Sequence, residues 1–498
     1  MPTSHSAVLR ARMAPSPTGP LHIGSARTSL YNFLAARHDG GAYVLRVEDT
    51  DEARNSLDFE RDIIEGLHWL GITWDEGPQV AGAEDIGPYA PYRQSQRMET
   101  YASEAERLLD SGAAYRCYCT TEELDAVRRE QDARHEPPRY DGRCLNLTDA
   151  ERDAFEAQGR RPAIRFKVPP ERITFDDLVR GEVEFDNALL GDFVIVRGDG
   201  GPLYHFTVVV DDEAMEISHV IRGEEHLSNT PKHIALIRAL GYREPRFGHI
   251  PLILNPDRTK MSKRKSQTAV ADFREQGYLP EAMVNFLAFL GWSPGTEEEI
   301  FTLDELVGRF KIEKVHHAGA IFDQARLDHV NGVYIRALSD EQLALRVRPF
   351  VPEDLPDDGL VRMMPLIKER LVRLADVTDL IGFVWEPDEV VAGRYPPELL
   401  VPKKGEPADA RKALERARAL ISELDDADFS ADVLEQRFRE AADAEGMKAG
   451  DFFTPVRVAV TGRTVSPPLF ASLELLGRER ALARIGAALN GLAGVAPA

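Results

Sequence analysis

Residues 8 to 48 constrain the fold more than any other part of the chain. VLRARMA is a short alternating run, and AYVLRVE is a second strand-like one. Between them, Ala26, Leu30, Phe33 and Leu34 share one face and predict a helix from about His22 to His38, stopped by Gly40 and Gly41. A strand, a helix and a strand in so short a span make a βαβ unit, and such units build parallel sheets. The loop entering the helix, PSPTGPLHIGS at 15 to 25, holds three prolines and two glycines. A helix mouth carries unpaired N–H groups and a partial positive charge, so it attracts phosphate. The prolines fix the approach, Gly19 and Gly24 permit close backbone contact, and His22 can donate a hydrogen bond to a phosphate oxygen. Alone, such a loop is more often a plain connection.

A chain of 498 residues has room for two to four domains. Hydrophobic residues make up 43%, yet no apolar run is long enough to span a bilayer. The start, MPTSHSAVLRARM, lacks the apolar stretch of a secretion signal. Three cysteines are too few for a disulfide framework, so a cytoplasmic enzyme is expected. The net charge of −22 argues against indiscriminate nucleic-acid binding, which draws its affinity from a basic surface. A local basic face on an acidic body remains compatible with it.

Downstream, Tyr101 to Gln131 carries a helical pattern interrupted near Gly112, and 132 to 147 is loop-like. DFVIVRGDGGPLYHF predicts two strands joined through Asp199-Gly200. EISHVIRGEEH is a strand entering a polar loop. A helix follows from Pro231 to about Leu240, with Thr230 as its N-cap and Gly241 as its stop. A second αβ half therefore starts after 205, with 90 to 205 inserted. RFGHIPLILN is a strand leading into PDRTKMSKRKS, and beyond about 280 the spacing is helical. In that loop Lys260, Lys263 and Arg264 suit a clamp on a polyphosphate, where charge develops as a phosphate bond breaks. A basic loop alone is usually just solvated. Both elements in this order, each beside its own αβ half, are much less expected by chance.

The chain resembles the class I aminoacyl-tRNA synthetases, whose two signatures are written HIGH and KMSKS, and within them the bacterial glutamyl-tRNA synthetases. The resemblance rests on RMAPSPTGPLHIGSART, LRVEDTDEAR, PYRQSQR, YDGRC, EISHVIRGEEHLSNTPKHI, FGHIPLILNPDRTKMSKRKS and FDQARLDHVNGVYIR, over residues 12 to about 336. Ser25 stands where the class signature has a second histidine, which shifts phosphate contact onto His22 and backbone amides.

The resemblance implies an α/β fold: a Rossmann-type parallel-sheet catalytic domain with an inserted acceptor-binding domain, then an all-helical anticodon-binding region. The implied divisions are 1–89 and 206–255 for the catalytic halves, 90–205 for the insertion, 256–339 for a stem-contact domain and 340–498 for the helical region, divided near 399. The implied reaction joins L-glutamate to tRNA(Glu) through glutamyl-adenylate, with ATP as substrate, Mg2+ as its companion, and AMP and pyrophosphate as products. Thr18, Gly19, His22, Gly24, Lys260, Ser262 and Lys263 would hold ATP, and Arg264 fits the family's form of the second signature. Arg12, Ala14, Ser16, Glu48, Tyr204, Arg222, Glu225 and His226 would line the glutamate and adenylate pocket. Arg222 is the better candidate for the side-chain carboxylate, because a guanidinium fork binds carboxylate bidentately, and Glu48 would pair the ammonium. Each alone is more often a surface ion pair, and the joint pattern reverses that.

Some relatives of this kind carry a structural zinc at the position of Cys117, Cys119 and Cys144, with a fourth ligand two residues after the last cysteine. Here that residue is Asn146, a poor ligand for zinc. Zinc and three reduced thiols both remain open. By resemblance Arg370 reads the anticodon, although a helical arginine is usually a solvated face residue. A monomer without membrane contact is expected. The rival glutaminyl-tRNA synthetases have a β-rich C-terminal part, unlike the helical pattern here. Charging of the glutamine tRNA as well stays open.

Overall fold

As the opening pattern predicts, β1 (Arg10–Met13) and β2 (Ala42–Leu45) pair in parallel around α1 (Ile23–His38). The computed structural model describes residues 8–51, 54–80, 83–261, 268–403 and 405–493. The chain continues through α2 (Leu57–Trp69), α3 (Met98–Asp110), β3 (Ala114–Cys117), α4 (Thr121–Ala133), α5 (Asp149–Ala157), β4 (Ala163–Phe166), β5 (Arg172–Asp177), β6 (Gly181–Asp186) and β7 (Phe193–Val196). Then come α6 (Tyr204–Ala214), β8 (His219–Gly223), α7 (Thr230–Leu240) and β9 (Arg246–Ile250).

The main sheet has the order β2-β1-β8-β9-β5-β6. Its first four strands run parallel, with both αβ halves meeting where Ala11 of β1 faces His219 of β8. Parallel strands covered on both faces must be apolar throughout. Accordingly Tyr43, Val44 and Leu45 of β2 and Ile221 of β8 are fully buried, as are Leu30, Tyr31 and Leu34 of α1. The Arg27 guanidinium anchors α1 from within, donating to the carbonyls of Leu290 and Pro251. The segment 90–205 contributes two pieces. β3, β4 and β7 form a separate antiparallel sheet, while the β5–β6 hairpin joins the main sheet beside β9 through Asp177 opposite Phe247.

Three local expectations are corrected. The pattern from Tyr101 to Gln131 is two helices with β3 between them. Gly112, at φ +72°, ends the first, and β3 gains its bonds from β4, far along the chain. DFVIVRGDGGPLYHF holds one strand, β7, followed by a turn in which Arg197 N donates to Gly201 O. Its second half is not a strand, because Pro202 forms a lone bridge with Val196 and Tyr204 already opens α6. The valines of α6 are β-formers by propensity, but burial of the whole helix overrides that preference. Thr230 is the first residue of α7 rather than its N-cap, at φ −55° and ψ −43°. Its hydroxyl is used elsewhere.

The described residues separate into two compact units, Met1–Phe273 with Pro280–Gln324, and Arg274–Leu279 with Ala325–Ala498. Among the described residues of the second unit every regular element is helical, as the periodicity beyond 280 predicts. Its core includes Leu414, Phe438, Phe452 and Ile485. The buried Arg484 guanidinium staples it, bonding Asp388 and the carbonyls of Phe383 and Val460. No helix among the described residues is long and apolar enough to cross a membrane.

Candidate active site

In an open parallel sheet the carboxyl ends of the strands face a crevice that binds ligands. Here Ala14 follows β1, Glu48 follows β2, Gly223, Glu225 and His226 lie at or beyond the end of β8, and Pro251 follows β9. All of them line one cleft of about 830 Å3. Ser16, Thr18, His22 and Gly24 line it from the first signature loop, and Arg12, Tyr204, Arg222 and Lys260 complete the set that the sequence predicts. Gly19 is buried and is not part of the lining.

The two signature segments converge. Lys260 and Met261 line the cleft on one side of the second signature, and Thr268 does so on the other. The returning segment is bound to the mouth of α1: Ile23 N donates to Thr268 O at 2.8 Å, and Val270 N donates to Leu21 O at 2.8 Å. Ser262, Lys263 and Arg264 lie outside the described residues.

His22 is the N-cap of α1. Its Nδ1 accepts from Gly24 N at 3.1 Å and from Ser25 N at 3.2 Å, and its Nε2 lies 2.9 Å from the Ser25 hydroxyl. Those bonds fix the tautomer, since an Nδ1 that accepts leaves the proton on Nε2. The expectation that backbone amides take up the phosphate is therefore corrected for these two, which the imidazole occupies. Gly24 is required for this fold-back, because a Cβ there would meet His22 Cε1 at 2.9 Å.

The charged groups of the cleft are unequal. Arg12 is paired twice with Asp212, at 3.1 and 3.3 Å. Arg46 lies behind it, bonded to Asp212 at 2.8 Å and to Glu48 at 3.4 Å. Burial pushes the Glu48 carboxyl up to about 7, outweighing the opposing pull of Arg46 and Arg12. Arg222 is 5% exposed, and among the described residues it makes no ion pair. Instead its Nε donates to His249 Nε2 at 3.1 Å, Nη1 lies 3.1 Å from His233 Nδ1, and Nη2 donates to Thr230 Oγ1 at 2.8 Å. Burial, followed by the charge of Arg222, keeps His233 well below its ordinary value. Burial, Lys232 and Arg222 push His205 down to about 4, and burial and Arg222 do the same for His226. Tyr204 reaches His226 Nδ1 at 3.3 Å.

Sequence reasoning missed His205, His233, His249, Thr230 and Asp177. The available signal was histidine density in the second αβ half, with His205 on α6, His233 on α7 and His249 on β9.

The Cys117, Cys119 and Cys144 sulfurs lie within 4.8 Å of one another. Asn146 is exposed. The oxygen near these thiols belongs to Tyr140. Its hydroxyl lies 3.5 Å from the sulfurs of both Cys117 and Cys119 and accepts the Cys144 N–H at 3.1 Å. The Arg165 guanidinium stacks on the Tyr140 ring at 3.7 Å and donates to Cys117 Sγ at 3.7 Å. Three soft thiols, one oxygen and an adjacent cation fit a tetrahedral zinc centre of net charge −1. Among the described residues no carboxylate group is gathered for magnesium.

In the second unit Arg370 occupies a single 3₁₀ turn, Lys368–Arg370, after the helix Asp357–Ile367. It donates to Ser466 O at 2.5 Å, and Arg457 donates to Ser466 Oγ at 2.6 Å and Pro467 O at 2.8 Å. Burial and then Arg370 lower the Arg457 value. Two guanidiniums thus converge on one loop.

Comparison with known proteins agrees with this geometry. Residues 8–329 match the model of the class I tRNA synthetase (E and Q) catalytic domain, and 342–489 match an anticodon binding domain. A glutamate–tRNA ligase of Desulforudis audaxviator is 45% identical over 97% of this chain and 96% of its own. That of Acidothermus cellulolyticus is 45% identical over 96% of this chain and 94% of its own. The crystal structure of a glutamate tRNA ligase from Elizabethkingia meningosepticum in complex with its amino acid superposes with a TM-score of 0.81, at 34% identity, covering 97% of this chain and 99% of that one. Over the strand-end cleft, the two converging signatures and the helical second unit, the chain belongs to the class I tRNA synthetases of the glutamate and glutamine group.

Proposed function

We propose that this chain joins L-glutamate to tRNA(Glu) in two steps, in the cytoplasm and as a monomer. The glutamate α-carboxylate attacks the α-phosphate of ATP, giving glutamyl-adenylate and pyrophosphate. The terminal adenosine hydroxyl of the tRNA then takes the glutamyl group and AMP leaves. The observation that supports this reading is the backbone bonding between Leu21–Ile23 and Thr268–Val270, which ties the chain just after the second signature to the first.

In this reading the side-chain carboxylate of glutamate meets Arg222, a buried cleft guanidinium with no ion pair among the described residues; Arg27, likewise without one, is turned onto the carbonyls of Leu290 and Pro251. Arg12, already paired with Asp212, lends one of its remaining N–H groups to the same substrate. Glu48 takes the ammonium, with Ser16 and Tyr204 adding hydrogen bonds, and Ala14, Glu225 and His226 shape the adenylate pocket. The Nε2–H of His22 turns from the Ser25 hydroxyl to a phosphate oxygen, Thr18 and Gly24 line its approach, and Lys260, Ser262, Lys263 and Arg264 cover the leaving pyrophosphate. Gly19 shapes the loop from behind. Positioning and charge stabilisation carry such a reaction without a protein nucleophile. Magnesium travels with the triphosphate. Cys117, Cys119, Cys144 and Tyr140 hold a structural zinc, and Arg370 contacts the anticodon.

The test is aminoacylation of purified tRNA(Glu) and tRNA(Gln) with labelled glutamate or glutamine. Glutamate on tRNA(Glu) is expected. Glutamine as the preferred amino acid, or no charging of either tRNA, would overturn the reading.

A further inference from the structure

The guanidinium of Arg222 has five N–H donors. Three are spent within the protein, on His249 Nε2, His233 Nδ1 and Thr230 Oγ1. One N–H remains on each terminal nitrogen, the two donors that a bidentate carboxylate requires.

Every partner of Arg222 has to be an acceptor, and this fixes the protons around it. His249 accepts at Nε2, so its proton sits on Nδ1, which donates to Asp177 Oδ2 at 2.5 Å. His233 accepts at Nδ1, so its proton sits on Nε2 and is donated to His205 Nδ1 at 3.1 Å. Asp177 is anchored in turn. Its Oδ1 accepts from the backbone N–H groups of Val179, Arg180 and His249 at 3.0, 3.0 and 3.2 Å. The side chains of Asp177, His249 and Arg222 are all buried.

This cradle satisfies three donors without neutralising the cation, because its members are two imidazoles and a hydroxyl. It also leaves Arg222 presenting donors alone. A carboxylate fills both remaining N–H groups, whereas a carboxamide turns its NH2 against one of them and leaves buried donors unpaired.

We propose that His249, held in one tautomer by Asp177 of the β5–β6 hairpin, is a positioning residue. It aims the two remaining N–H groups of Arg222 and so sets the preference for a side-chain carboxylate over a carboxamide. The proposal rests on the reading that Arg222 receives the glutamate side chain, and the test separates the two.

Three substitutions probe it, each measured by tRNA-dependent ATP–pyrophosphate exchange with glutamate and with glutamine, and each checked by thermal unfolding. His249→Asn keeps a donor toward Asp177 but has nothing at the Nε2 position. His249→Gln places a carbonyl oxygen near that position and restores the acceptor. Asp177→Asn keeps its carbonyl on the backbone N–H groups, so its NH2 faces His249. The imidazole then inverts its tautomer and turns Nε2–H against Arg222. His249→Asn and Asp177→Asn are expected to raise KM for glutamate, and to lower the glutamate-to-glutamine ratio of kcat/KM, by at least about tenfold each. KM for ATP should stay unchanged, and His249→Gln should remain within about threefold of wild type, as an acceptor-based role requires. His249→Asn and Asp177→Asn break the same relay at different points, so loss of folding in one leaves the other decisive.

Equal effects of His249→Gln and His249→Asn, or a parallel rise in KM for ATP, would reduce the cradle to a structural role and overturn the proposal. No effect in any of the three, while Arg222→Gln raises KM for glutamate, would overturn it and spare the carboxylate reading. An unchanged KM in Arg222→Gln would remove both.

Discussion

Single residues in the cleft are poised by what lies behind them. Glu48 is the clearest case. Its carboxyl holds a proton up to about pH 7, because burial outweighs Arg46 and Arg12. An incoming ammonium favours the ionised form, so binding below pH 7 must expel that proton. Affinity for glutamate should therefore be level above pH 7 and fall below it, by at most about tenfold per pH unit. Steady-state KM for glutamate between pH 5.5 and 8.5 checks this, with Glu48→Gln expected to be weak and flat across the range. A wild-type KM that does not change below pH 7 would contradict it. The residues of this pocket were legible in the sequence where a motif carried them, as with His22, Glu48 and Arg222. Their supports were not. Asp177 stands far from His249 in the chain, and no local pattern announces a hydrogen bond across a sheet edge. His22 was legible as a donor, but its capping of Gly24 and Ser25 needed coordinates.

Among elements, periodicity identified the βαβ opening and the helices beyond 280, where apolar spacing and packing agree. It failed where tertiary pairing decides. β3 is four residues long and exists because β4 pairs with it, and α6 is a valine-rich helix because it is buried on all sides. The same β3 delivers Cys117 to the thiol cluster, beside the loop that carries Tyr140. The family resemblance pointed to Asn146 as the fourth position, but the chain turns that residue outward and Tyr140 inward. Protein grown with zinc should accordingly retain one metal per chain. Tyr140→Phe should weaken retention against a chelator by at least about tenfold, the loss that even outer-shell partners cause. Metal-free wild-type protein, or an unchanged affinity in Tyr140→Phe, would contradict that centre, and neither readout depends on catalysis.

At the scale of the whole molecule, one cleft is assembled from distant parts of an acidic chain. The net charge of −22 does not prevent a local site for anionic ligands, because the cleft guanidiniums of Arg12 and Arg222 are buried and held in place. The central claim is that the loop of His22 and the second αβ half of Arg222 grip one glutamyl-adenylate. Calorimetric titration with the unreactive mimic glutamyl-sulfamoyl-adenosine tests it most directly, using wild type, Gly24→Ala and Arg222→Gln. The added methyl of Gly24→Ala displaces the imidazole on one side, and Arg222→Gln removes the fork on the other. Each should weaken binding by at least about tenfold, or 1.4 kcal/mol, at unchanged stoichiometry. Wild-type protein that does not bind the mimic, or variants that bind it as tightly as wild type, would contradict the account.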